Sequence, residues 1–79
     1  MASEVTVRYW AGARRAAGRE SEQFTVVDLA DLRAQLERRP ELAAVRAASS
    51  VLVDAAHGAD DQPLRPGAVV DILPPFAGG

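Results

Sequence analysis

The residues best suited to chemistry stand together at the C-terminal end of the chain, where Pro74-Pro75-Phe76-Ala77-Gly78-Gly79 follows Ile72-Leu73. A terminal α-carboxyl has a reference pKa of about 3.3 to 3.7, so Gly79 is expected to end in a carboxylate at neutral pH. A carboxylate is a poor electrophile, and acyl chemistry at Gly79 would need prior activation. Glycine carries no β-carbon, so Gly78 and Gly79 form a slender thread that can approach another backbone or a nucleotide without side-chain clash. Pro74 and Pro75 each fix φ near −65° and lack an amide donor, so they end the strand before them and send the thread out extended. Gly79 is therefore the candidate reactive group, and Pro74, Pro75, Phe76, Ala77 and Gly78 are the tail that aims it. Glycine makes up about 7% of residues, so a Gly-Gly end alone arises in roughly 0.5% of chains. The order strand, Pro-Pro, apolar residue, Gly-Gly is much less accidental.

Other reactive groups are scarce. With no cysteine, the chain has no disulfide, no thiolate zinc site and no thiol nucleophile. The one histidine, His57, has no second histidine or carboxylate cluster beside it in sequence, so neither a metal site nor a catalytic triad is readily assembled. All nine basic residues are arginine, and no lysine is offered to which an activated carboxylate could be joined. Seventy-nine residues make one small domain, which buries only about 60% of its unfolded surface and leaves little room for an enclosed active site. The hydrophobic fraction of 48% suits a folded globule. A net charge of −2 gives no support for nucleic acid as a partner. No apolar run approaches the ~20 residues of a membrane span, and Met1-Ala2-Ser3-Glu4 lacks the basic start of a signal peptide. A cytoplasmic protein that binds no cofactor, metal, nucleic acid or membrane is the expectation.

The tail needs a platform, and hydrophobic periodicity outlines one. Val5, Val7 and Tyr9 alternate with Thr6, Arg8 and Trp10, which predicts a half-buried strand over Glu4 to Trp10. Ala11 to Arg19, with Gly12 and Gly18, reads as a turn or loop leading to a second strand over Ser21 to Phe24 that pairs with the first. Thr25 three residues before Asp28, then Val26, Leu29, Leu32 and Leu36, predict a capped amphipathic helix from Val26 to Arg39. Pro40 ends it, Arg38 and Arg39 suit its negative end, and a short helical turn through Val45 is expected to pack Leu42 and Val45. Val51 to Val53 predicts a strand within Ser50 to Ala55. Ala56 to Gly67 reads as irregular, closing in a type I or II turn at Arg65-Pro66-Gly67-Ala68. Ala68 to Leu73 is the last strand. An order of β-β-α-β-β implies an α+β domain, a small mixed sheet with one main helix on one face.

That order of elements resembles the β-grasp, or ubiquitin-like, fold, and the ending resembles the sulfur-carrier proteins of the MoaD and ThiS family. Trp10, Ala11, Arg14 and Gly18 fit the family's opening pattern. Leu64, Gly67, Val70, Ile72 and Pro74 through Gly79 fit its closing one, and the resemblance covers nearly the whole chain. Arg15 departs from it where an acidic residue is usual, as does Ala68 where an aspartate often follows the turn glycine. The resemblance implies a β-grasp domain over residues 1–73 and a flexible functional tail over 74–79. It also implies a separate MoeB-like activating enzyme, which uses ATP and magnesium to form an acyl-adenylate on Gly79. A sulfur donor, a cysteine desulfurase or rhodanese-like protein, then yields a thiocarboxylate. The pattern most resembles the molybdopterin branch. There the small subunit donates sulfur to cyclic pyranopterin monophosphate within a heterotetramer, and the catalytic side chains belong to the large molybdopterin synthase subunit. Thiamine thiazole, cysteine or tRNA thiolation are alternative clients, and a ubiquitin-like conjugating or binding module is the alternative without sulfur.

Strand parity suggests where a partner docks. With Val5, Val7 and Tyr9 facing the helix, Arg8 and Trp10 lie on the open face, and Val70 with Ile72 inward leaves Asp71 and Leu73 outward. Trp10 and Leu73 are expected to form an exposed apolar patch at the root of the tail, and the other reading is that Trp10 merely covers the following loop. Arg8 beside Asp71 is a candidate cross-strand pair. Arg14, from the family pattern, and His57, at the rim, complete the candidate interface.

Overall fold

A computed structural model describes residues 2–43, 49–57 and 61–74, with only the backbone of His57. Among the described residues these elements follow in order: β1 (Ser3–Tyr9), α1 (Ala11–Ala17), β2 (Ser21–Val26), α2 (Leu29–Glu37), β3 (Ser50–Val53), β4 (Ala56–His57) and β5 (Val69–Leu73). The strands form one five-stranded sheet in the order β2-β1-β5-β3-β4. β1 and β5 run parallel at its centre, and every other pair is antiparallel. This is the mixed sheet of an α+β, β-grasp domain.

The alternating pattern of β1 holds, with Val5, Val7 and Tyr9 all buried. They share one core with Val70 and Ile72 of β5 and with Leu29, Leu32 and Leu36, the stripe of α2. Fully burying such a side chain stabilises by about 1.5–3 kcal/mol. A nine-residue helix is too short to persist alone, so this stripe holds α2 in place.

Three sequence expectations need correction. Ala11 to Ala17 is a helix rather than a loop, because its apolar face consists of alanines: Ala13 is buried, and Ala16 and Ala17 pack partly against the core. Gly18 is its left-handed C-cap, at φ 73°, and its amide donates to the Arg14 carbonyl. The main helix starts later than expected. Val26 is fully buried as the last residue of β2, and Asp28 instead of Thr25 is the N-cap. Asp28 Oδ1 accepts from the Asp31 amide at 2.8 Å, while Asp31 Oδ2 accepts from the Val27 amide at 2.9 Å. Arg38 is the C-cap, and Arg39 turns away to pair with Glu22 instead of serving the helix end. The third strand stops at Val53. Asp54 and Ala55, both at positive φ (49° and 69°), make a two-residue turn into β4, where irregular chain was expected.

Other expectations hold. The helical turn after Pro40 is present over 40–43 and Leu42 is buried, whereas Val45 lies outside the described residues. Arg65 to Ala68 is a type II turn: the Ala68 amide donates to the Arg65 carbonyl at 3.0 Å, and Gly67 sits at φ 82°. The Gly67 amide in turn donates to the Glu4 carbonyl at 2.8 Å, which docks the turn against β1 and sets the register of β5.

Candidate functional site

The parallel ladder pairs Thr6 with Val69, Val7 with Val70, Arg8 with Asp71 and Tyr9 with Ile72. Period-two alternation therefore sends Arg8 and Asp71 to the open face together. Arg8 Nε donates to Asp71 Oδ1 at 2.6 Å, and Arg8 Nη2 donates to Oδ2 at 2.9 Å. Trp10 Nε1 donates to the same Oδ1 at 2.9 Å. The Arg8 guanidinium carbon lies 5.5 Å from the centroid of the Trp10 ring, within cation–π range. Asp71 is only 6% exposed although it faces outward, because these two side chains close over it. The Arg8 hydrogen bonds hold its carboxyl below the usual range; burial opposes them, and the Trp10 bond adds to them. Bonding to Asp71 raises the Arg8 guanidinium correspondingly.

Backbone contacts fix Trp10 as well. Its amide donates to the Ile72 carbonyl at 3.3 Å, and its own carbonyl accepts from Ala13 at 2.9 Å and Arg14 at 3.4 Å. Ala11 follows at φ 47°, a left-handed conformation that disfavours a side chain. Trp10 as a whole is 37% exposed. Leu73, one step beyond the Tyr9–Ile72 pair, is half-buried, as is Pro74.

The fold thus brings together Arg8, Trp10 and the end of β5. The expected apolar patch is in fact amphipathic, since the indole N–H is engaged by a carboxylate. Arg14, on α1, is half-exposed and lies 3.7 Å from Glu20. It lines a shallow depression with Arg8, Tyr9, Trp10 and Glu20. His57 stands opposite Leu52, which itself stands opposite Asp71, so its strand position falls in the same row across the sheet; its side chain is outside the described atoms. Pro75, Phe76, Ala77, Gly78 and Gly79 lie outside the described residues. Sequence reasoning paired Asp71 with Arg8 but missed its bond to Trp10. The available signal was an acid in the middle of an apolar strand whose outward parity matches that of Trp10.

A second polar cluster ties the turn that follows the main helix to β1 and β2. Tyr9 Oη donates to Glu22 Oε1 at 3.0 Å, and Arg39 pairs with the same oxygen. Burial first, then Glu22, pushes the Tyr9 hydroxyl well above its ordinary range. Burial alone would raise Glu22, but the bonds from Arg39 and Tyr9 outweigh it and leave its carboxyl lowered. Among the described residues no three His, Asp or Glu side chains are grouped so as to hold a metal ion. No helix there is long and apolar enough to cross a membrane.

Comparison with known proteins agrees with this geometry. The ThiS family model matches residues 7–79. No curated protein gives a significant match. Among solved structures, a Pyrococcus furiosus protein assigned as molybdopterin converting factor subunit 1 is 24% identical, with 94% of this chain and 99% of that one covered and a TM-score of 0.83. SAMP1 from Haloferax volcanii is 20% identical over 98% of this chain and 100% of its own, with a TM-score of 0.84. These two likenesses are of fold. At 26% identity, 96% of this chain matches 99% of a chain in the complex of molybdopterin-converting factor subunits 1 and 2 from Helicobacter pylori, with a TM-score of 0.80. A match that spans all but the first six residues, on a β-grasp sheet whose central strand leads into the Pro-Pro and Gly-Gly sequence, decides the family: the chain belongs to the ThiS family of ubiquitin-like sulfur carriers.

Proposed function

We propose that the chain is the small, sulfur-donating subunit of a molybdopterin synthase and that the Gly79 carboxylate carries the sulfur. The observation that carries the reading is the placement of β5. It runs in the middle of the sheet, parallel to β1, accepts the Trp10 amide at its Ile72 carbonyl, and hands on through Leu73 to Pro74, five residues before Gly79. The Helicobacter pylori relative, whose structure is a complex of subunits 1 and 2, supports a large-subunit partner.

The chemistry divides between chains. A Gly79 carboxylate oxygen attacks the α-phosphorus of ATP on an adenylating enzyme, and pyrophosphate leaves. A donor's persulfide sulfur attacks the resulting acyl carbon and AMP leaves. A second thiol of the donor then cleaves the sulfur–sulfur bond, becoming a disulfide and freeing the thiocarboxylate. This chain supplies the carboxylate, the slender tail and the docking face. With no cysteine of its own, it offers no thiol to intercept the activated acyl group.

The test is the intact mass of the chain after incubation with an adenylating enzyme, ATP, magnesium and a persulfide donor. A sulfur-for-oxygen increase confined to the C-terminal peptide, and abolished by deleting Gly79, is the expected result. A tail that stays a carboxylate sinks the reading. Co-purification with a pterin-binding large subunit supports the molybdopterin client, whereas a thiazole or cysteine synthase in its place keeps the carrier and changes the client. Gly79 found in amide linkage to target proteins, without sulfur, would favour a modifier.

A further inference from the structure

The parallel ladder of β1 and β5 is held unequally at its two ends. At its start the Thr6 amide donates to the Ala68 carbonyl at 2.9 Å, and the Gly67 amide to the Glu4 carbonyl at 2.8 Å. At its far end, where the chain runs on toward the tail, the Trp10 amide reaches the Ile72 carbonyl at 3.3 Å. The pairing stops at Tyr9 and Ile72, because Ala11 turns the chain away at φ 47°. Pro74 and Pro75 lack the amides that could add rungs. A strand end held by one long bond frays.

Asp71 reinforces that end. Trp10 is bonded to two successive residues of β5, its amide to Ile72 and its indole N–H to Asp71 Oδ1 at 2.9 Å. Arg8, directly opposite Asp71, grips both carboxylate oxygens, at 2.6 and 2.9 Å. One side chain of β5 thus ties down both residues that flank Tyr9, the last paired residue of β1. Strand propensity does not account for this residue. Aspartate is depleted in strands, and an ion pair with a half-exposed partner adds little stability. Setting a register is the better attested use of a buried charge. Ala68, Val70 and Ile72 are buried and alternate with Val69 and Leu73, so the apolar pattern of β5 survives a slip of two residues along β1. The carboxylate does not survive it: two residues either way, Asp71 stands opposite Thr6 or Trp10 instead of Arg8. Leu52, its neighbour on β3, brings only an apolar side chain.

We propose that Asp71 is a positioning residue for the tail: through Arg8 and Trp10 it clamps the last rung of the β1–β5 ladder, and so fixes the residue at which the chain leaves the sheet. Each residue released from the ladder adds about 3.3 Å to the reach of the tail, and a slip of two moves its root by about 7 Å. The length over which Gly79 is delivered is thereby set inside the sheet. The clamp is a property of this chain alone and holds whichever enzyme acts on Gly79.

Asp71→Val separates the clamp from propensity. Valine is the better strand residue, so propensity alone predicts a ladder end at least as tight as in the parent chain. The clamp predicts the reverse. In amide hydrogen exchange the ratio of the Trp10 rate to the Thr6 rate should rise about tenfold, and taking the ratio removes any change in global stability. In nitrogen-15 relaxation the Ile72 and Leu73 amides should lose order while Val70 keeps its own, which marks an earlier exit from the sheet. Trp10→Phe removes only the indole donor at an exposed site and should raise the same ratio, corrected for intrinsic rates, a few-fold. If Asp71→Val does not fold, Trp10→Phe decides on both readouts. An unchanged ratio would overturn the proposal, as would a faster Trp10 amide with Ile72 and Leu73 as ordered as before. A Trp10 amide without protection in the parent chain would overturn it too, since there would be no rung to clamp.

Discussion

Arg8 and Asp71 stand directly opposite each other across the parallel pair β1–β5, and their two-pronged ion pair, at 2.6 and 2.9 Å, is capped by the Trp10 indole on the same carboxylate. The pair links the first strand to the last at the point where the chain leaves the sheet for its tail. The candidate docking face and the root of the tail are thereby joined through one carboxylate.

That carboxylate gives stability an acid dependence. Asp71 and Glu22 both sit below their ordinary values of 3.8 and 4.5 in the folded chain, so the unfolded chain binds more protons in this range. Their contribution is complete above those ordinary values and is lost as pH falls through the lower, folded ones. Tyr9 works at the other end. Its hydroxyl is raised above the ordinary 10.0, so its contribution is complete below pH 10 and is lost as pH climbs beyond. Urea midpoints should stay flat between these limits and fall on both sides. Asp71→Asn should flatten part of the acid limb.

Tyr9→Phe isolates the hydroxyl of a side chain that is otherwise buried in the core. The variant loses the bond to Glu22, while Arg39 keeps its own. Urea unfolding should show a loss of about 1 kcal/mol, and the alkaline limb should weaken with it.

Two turns predict backbone effects of opposite sign. Ala55 sits at φ 69°, and Ala55→Gly should stabilise by about 0.5–1 kcal/mol, the relief of left-handed strain less the added freedom of the unfolded chain. Gly67→Ala should cost about 1 kcal/mol by the same steric rule. No atom beyond the adjoining residues lies within 4 Å of the β-carbon it would add, so that cost is conformational. Thermal or urea unfolding of the two variants checks both signs.

Trp10→Ala removes the aromatic part of the proposed docking face and leaves the core intact. On the molybdopterin reading it should weaken binding to the large subunit by tenfold or more, as truncation of an aromatic anchor does. Titration calorimetry with the purified large subunit gives the value, and unchanged unfolding would confirm that the fold is spared.

Much of the platform was legible because its signals are local. The period-two pattern of Val5, Val7 and Tyr9, the helical stripe of Leu29, Leu32 and Leu36, and the Pro66-Gly67 turn each declare themselves within a few residues. The short helix α1 did not, because alanine marks a buried face weakly and Gly18, its cap, reads equally well as a loop residue. Thr25 and Asp28 are both good caps by type. The choice fell to Asp28 because Val26 is drawn into the sheet and buried, an outcome set by packing rather than by propensity.

The tail was read from sequence alone: the order Pro74-Pro75-Phe76-Ala77-Gly78-Gly79 specifies a thin, stiffly rooted end by the intrinsic restrictions of proline and the missing side chain of glycine. Only the tertiary structure decided that Asp71 unites Arg8 and Trp10. Those contacts join residues 63 and 61 positions apart. They exist because the parallel register of β1 and β5 brings the three side chains onto one face, and no local property of any of them sets that register.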